Sequence, residues 1–90
     1  MDYIRAKFGQ NAEAALKIAR CESGIRADAI GDLHLDGGTN PSLGVFQVRY
    51  FGGARGTKEQ LLDYRYNVDK AYQMSGGGIN WSAWSCKKVL

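Results

Sequence analysis

Apolar residues recur at spacings of three and four from Asn11 to Glu22: Ala12, Ala15, Leu16 and Ala19 share one helical face, and Glu22 falls on the same stripe. The pattern predicts a helix over 11–22 with Asn11 as its N-cap and Gly24 as its stop. Upstream, Tyr3, Ile4, Lys7 and Phe8 predict a short first helix ended by Gly9. Between Ala27 and Val48 the helical period disappears. Gly31, Gly37, Gly38, Asn40 and Pro41 punctuate that stretch, leaving short extended pieces at Ala29-Ile30 and Val45-Phe46-Gln47-Val48, which read as a small hairpin or ragged lobe. After the bend from Gly52 to Gly56, Thr57 and Gln60 form a capping box ahead of Leu61-Leu62. Val68, Ala71 and Tyr72 predict a helix over Asn67 to Met74, which Gly76-Gly77-Gly78 ends. The last piece, Ile79 to Leu90, reads as a short helix with Trp81 and Trp84 on one side.

The chemistry starts at Glu22. A carboxyl on the apolar stripe is expected to face the core, where desolvation disfavours its charged form and raises its pKa. Such a group can donate a proton near neutral pH, which is what a general acid must do. The competing reading is a paired structural charge at a helix end.

Size and composition bound what the chain can be. Ninety residues, 44% of them hydrophobic and only one a proline, are expected to form a single domain over 1–90 with a small core. The net charge of +3 is a mild basic bias that suits an anionic polymer, cell wall or nucleic acid, or simply keeps the domain soluble. Arg49, Arg55, Lys87 and Lys88 form no dense stripe and match no nucleic-acid motif, so no nucleic-acid partner is expected. Cys21 and Cys86 are the only cysteines. One disulfide between them would add roughly 3–4 kcal/mol to so small a domain, the alternative being two buried thiols. No apolar run is long enough to span a membrane, and Met1 to Arg5 lacks the apolar stretch of a signal peptide, so the residues encode no export route. No metal or other cofactor is expected: His34 stands alone as a solvated loop residue, and Asp28, Asp32 and Asp36 recur every four residues, unlike a calcium loop. A monomer is the default.

Four blocks then bring a family into view: Ala14 to Gly24 with its Glu22-Ser23-Gly24 end, Ser42-Leu43-Gly44-Val45-Phe46-Gln47-Val48, Asp63 to Val68 with Ala71-Tyr72, and Trp81-Ser82-Ala83-Trp84-Ser85. In this order they resemble the lysozyme-like superfamily, closest to the catalytic domain of soluble lytic transglycosylases. The resemblance implies a mainly helical α+β fold, with a central helix ending at the catalytic Glu and a small β-hairpin or loop lobe across a cleft. It implies cleavage of the β-1,4 bond between N-acetylmuramic acid and N-acetylglucosamine in peptidoglycan, acting at the cell envelope or outside the cell. Glu22 matches the acid. The block from Ser42 to Val48 matches a wall of the sugar cleft, with Gln47 close enough to bond the substrate or the acid.

Glycoside cleavage also needs positive charge on the sugar stabilised, usually by a second carboxyl. Asp28, Asp32 and Asp36 are the candidates, with Asp36 preferred because Asp36-Gly37-Gly38 can turn back toward the cleft. In the transglycosylase branch the substrate's own N-acetyl group serves instead. Ser42 stands where animal lysozymes carry their second Asp, a departure that favours transglycosylation or a differently placed water. Trp81 and Trp84 read as core fillers of which one covers Glu22, and Tyr50 as a core residue or a sugar platform. Many relatives have a tyrosine after the Trp-Ser-Ala-Trp-Ser block; here Cys86-Lys87-Lys88 follows. That loss, with the short chain, leaves a non-catalytic peptidoglycan-binding or structural module as the alternative.

Overall fold

The computed structural model describes residues 2–33 and 35–90, with Leu35 and Asp36 described through their backbone only. Helix α1 (Asp2–Phe8) leads through a 3-10 turn (Gly9–Asn11) into α2 (Ala12–Ser23). Ala12, Ala15, Leu16, Ile18 and Ala19 of α2 are buried, and their small average size lets neighbouring elements approach its axis closely. Gly24 closes α2 in the left-handed region at φ 68°, its N–H bonding Arg20 O at 2.9 Å. Asn11 precedes α2 but does not cap it through its side chain. The chain enters α2 straight from the 3-10 turn, so Asn11 lacks the extended backbone a cap needs. Its amide instead donates to Gly77 O at 3.0 Å, tying α2 to the glycine turn that ends the fourth helix.

Three two-residue strands form an antiparallel sheet in the order β1 (Ile30–Gly31), β2 (Ser42–Leu43), β3 (Val48–Arg49). The extended piece expected over Val45 to Val48 is mostly a turn. Gly44, at φ 78°, reverses the chain, and its N–H bonds Ala29 O at 2.9 Å. The register pairs Gly31 with Ser42 and Ser42 with Arg49, so these three lie in one row on one face of the sheet. Leu43 and Val48 occupy the next row and are buried in the core.

Thr57 opens α3 (Lys58–Leu61) through the expected capping box: its hydroxyl accepts from Gln60 N at 3.0 Å, and Gln60 Oε1 accepts from Thr57 N at 2.9 Å. Helix α4 (Tyr64–Met74) starts earlier than its apolar spacing implied, because Asp63 caps it by accepting from Tyr66 N at 2.9 Å. The expected final helix is different too. Trp81 and Trp84 precede a 3-10 helix (Ser85–Val89) instead of sitting within a helix. Trp84 has extended backbone at φ −103° and ψ 135°, which breaks the helix there, and the two indole N–H groups bond Gly78 O at 3.0 Å and Phe46 O at 2.8 Å.

The core is an aromatic column between the helices and the sheet. Phe46 stacks on Trp81 at 5.8 Å and 18°, Phe8 lies 5.7 Å from both rings, and Trp84 meets Trp81 edge-on at 4.9 Å. Such pairs add about 0.5–1.5 kcal/mol each beyond their buried area. The architecture is the expected helix-rich α+β arrangement with a small sheet lobe packed beside the end of α2. Among the described residues no helix is long and apolar enough to cross a membrane.

Candidate active site

The end of α2 is fastened before it is functional. Ser23 is buried, and its hydroxyl donates to Val45 O at 2.6 Å while accepting from Arg26 N at 3.1 Å. That clamp fixes the helix end against the turn between β2 and β3, so the residue before it, Glu22, is aimed with little freedom. Glu22 is half-buried and stands at a cavity wall, not in the core as its place on the apolar stripe implied. The stripe rotates off the core in the last turn, where Ser23 becomes the buried residue.

Two groups hold the Glu22 carboxylate, both on Oε2: Cys86 N–H at 3.0 Å and the Ser85 hydroxyl at 3.3 Å. Both belong to the C-terminal 3-10 helix, which a disulfide between Cys21 and Cys86 fastens to α2, with Cα atoms 6.0 Å apart. The cross-link thus attaches to the residues on either side of the contact it protects.

The cavity is about 180 Å³ and polar, with Glu22, Trp84 and Ser85 on the helical side. The sheet lobe supplies Asp32, Ser42, Gln47 and Arg49, and the following loop supplies Arg55. The Ser42 hydroxyl donates to Asp32 Oδ2. Asp32 and Gln47 are both non-glycine residues in the left-handed region, at φ 59° and 49°. Each conformation costs on the order of 1–2 kcal/mol, and backbone strain of this kind concentrates where a side chain must be aimed.

The Arg55 guanidinium has its pKa lowered, first by burial and then by the neighbouring charge of Arg49. It remains charged in ordinary conditions because a guanidinium does not lose its proton in proteins.

A family model described as a lysozyme like domain matches residues 5–86. The chain belongs to the lysozyme-like domain family. No curated protein and no solved structure matches it.

In this lysozyme-like domain the residues singled out from the sequence fare unequally. Glu22, Ser42, Gln47 and Trp84 meet at the cavity. Trp84 is 4% exposed and gives the cavity an apolar side next to Ser85. Trp81 is a core residue and does not line it, because Phe8, Phe46 and Trp84 surround its ring. Tyr50 does not line it either: its N–H bonds Pro41 O at 2.8 Å and Lys58 lies over its ring at 5.1 Å. The Gln47 amide nitrogen does not bond Glu22. Both N–H groups serve the lobe, donating to Ala29 O at 3.1 Å and Gly44 O at 2.9 Å. Gln47 therefore shapes the cavity wall and leaves its amide nitrogen no hydrogen for a sugar.

The Asp36 side chain and His34 lie outside the described residues. Among the described aspartates, Asp32 is the one at the cavity. It sits directly after β1, so the pairing of Gly31 with Ser42 delivers it, and nothing in its local sequence separates it from Asp28 or Asp36. Ser23, Arg49 and Arg55 also acquire roles that only the tertiary arrangement gives them.

Proposed function

We propose that this domain is a muramidase that cleaves the β-1,4 bond between N-acetylmuramic acid and N-acetylglucosamine, with Glu22 as general acid. The observation that carries the reading is the placement of Glu22. Its carboxyl stands at a polar cavity, held on Oε2 by Cys86 N–H and Ser85, which leaves Oε1 to carry a proton to a glycosidic oxygen. Domains of this family usually act on glycans, and this family match supports a peptidoglycan substrate.

Protonation of the leaving oxygen lets the bond break with positive charge developing on the sugar ring. Asp32 is the group that faces that charge. Its hydrogen bond from Ser42 fixes its direction. Ser42 thus takes part in the second carboxyl's position in place of an acid at its own site. Trp84 excludes water from one side of the cleft, which strengthens electrostatics there. The disulfide fits a site of action at the cell envelope or outside the cell, where thiols oxidise and stay oxidised.

Purified protein incubated with peptidoglycan is the direct test. Muropeptide release is expected from the native chain and a loss of about 10²–10⁴-fold from Glu22→Gln, with circular dichroism unchanged. Asp32→Asn is expected to lose activity comparably while staying folded, and reducing-end products would accompany a two-carboxyl hydrolysis. Anhydro-muramic ends with an active Asp32→Asn would assign the charge stabilisation to the substrate's acetamide. Failure of the native chain to release any product would refute catalysis and leave a peptidoglycan-binding module.

A further inference from the structure

The same cavity also holds two cations. Arg49 and Arg55 both line it, and the exposed ring of Phe51 sits between their guanidiniums, 5.3 Å from Arg49 Cζ and 4.6 Å from Arg55 Cζ. Arg55 also donates to Arg49 O at 3.5 Å, which keeps its side chain folded along the loop toward the cavity. Among the described residues no carboxylate comes within ion-pair distance of Arg55. Glu22 and Asp32 share its cavity and still do not pair with it. An anion bound at Arg55 would give that partly desolvated guanidinium a partner of opposite charge.

We propose that Arg55, backed by Phe51 and Arg49, anchors a carboxylate carried by the glycan and so makes the cleft selective for acidic glycan strands over neutral ones. The proposal rests on the reading that this cavity takes a glycan. A guanidinium offers a carboxylate two parallel N–H donors, a geometry no ammonium supplies. Phe51, which does not itself line the cavity, carries both guanidiniums against its ring and so narrows the positions open to Arg55. In peptidoglycan the carboxylate has two sources, the lactyl ether of muramic acid in stripped strands and the acids of the peptide stem. Polymers of N-acetylglucosamine alone have neither.

The test is equilibrium binding of soluble strands to the Glu22→Gln protein, which holds them uncut. Four ligands separate the sources: stem-bearing and peptide-stripped strands, each with its carboxylates intact or amidated. Intact strands are expected to bind about tenfold more tightly than amidated ones, and adding Arg55→Gln should erase that difference without weakening the amidated strands. Arg55→Lys should recover part of it. A preference confined to stem-bearing strands assigns the stem acids, and one also present in stripped strands assigns the lactyl group. Equal binding of intact and amidated strands, equal weakening of both by Arg55→Gln, or no binding at all overturns the proposal. Cleavage by the native chain is scored separately. A carboxylate preference without cleavage would refute the muramidase and keep the anchor, whereas cleavage without a preference would do the reverse.

Discussion

The Asn67 side chain is fully buried on α4 and makes three hydrogen bonds, each 2.8 Å: its amide donates to Leu43 O and Leu61 O, and its carbonyl accepts from Phe46 N–H. These partners are the backbone of β2, of the turn after it and of the end of α3, so one side chain fixes the turn that carries Gln47. Gly44 is part of the same fit, since a Cβ there would come within 2.5 Å of both Asn67 Nδ2 and Leu61 O. Asn67→Ala would take a hydrogen-bond partner from three buried backbone groups. It is expected to cost about 3 kcal/mol or more, read as a lowered denaturant midpoint at constant slope. A change under about 1 kcal/mol would mean that water replaces the side chain. The sequence places Asn67 at the start of a helix and offers no cue that its amide is buried. The same limit separates Glu22 from Asp32: local spacing and block order identify the first, whereas the second depends on strand pairing across ten residues of irregular loop.

At the scale of elements, α2 and α3 were legible because their signals are local: apolar spacing with a glycine stop in one, a reciprocal cap in the other. The strands were not. Two-residue strands are too short for alternation to register, and their pairing is decided by Gly44 and Asn67. Helix α4 shows how a cap sets a boundary that periodicity misses. Its first turn, Tyr64-Arg65-Tyr66, has no apolar spacing, and the Asp63 carboxylate satisfies a backbone donor there. Asp63→Ala is expected to lower stability by about 1 kcal/mol. The N-terminal turn of α4 should then exchange its amide hydrogens faster, and unchanged exchange would assign the start of α4 to packing alone. Asn11 carries the opposite lesson, since a residue of the right type at the right place is used as a long-range tie to Gly77.

For the whole molecule the decisive link is covalent. Cys21 and Cys86 are 65 residues apart, and closing that loop removes unfolded-state entropy worth about 4 kcal/mol. A domain of 90 residues has on the order of 5–13 kcal/mol of net stability, so this one bond supplies a large share. It also joins stability to the proposed function. Cys21 precedes Glu22 on α2, and the Cys86 N–H is itself a donor to the Glu22 carboxylate, so freeing the C-terminal 3-10 helix would release the Glu22 side chain as well as the fold. Reduction with dithiothreitol is expected to lower Tm by roughly 15–30 °C for a domain of this size. Peptidoglycan cleavage, assayed at a temperature where the reduced chain is still folded, should fall with it. The Cys21→Ala, Cys86→Ala double variant separates the two effects, because it lacks the cross-link under all redox conditions. If that variant melts low yet cleaves at the native rate while folded, the Trp84 and Phe46 packing alone keeps Ser85 and Cys86 against Glu22. If cleavage falls in the folded variant and dithiothreitol changes it no further, the disulfide positions the acid.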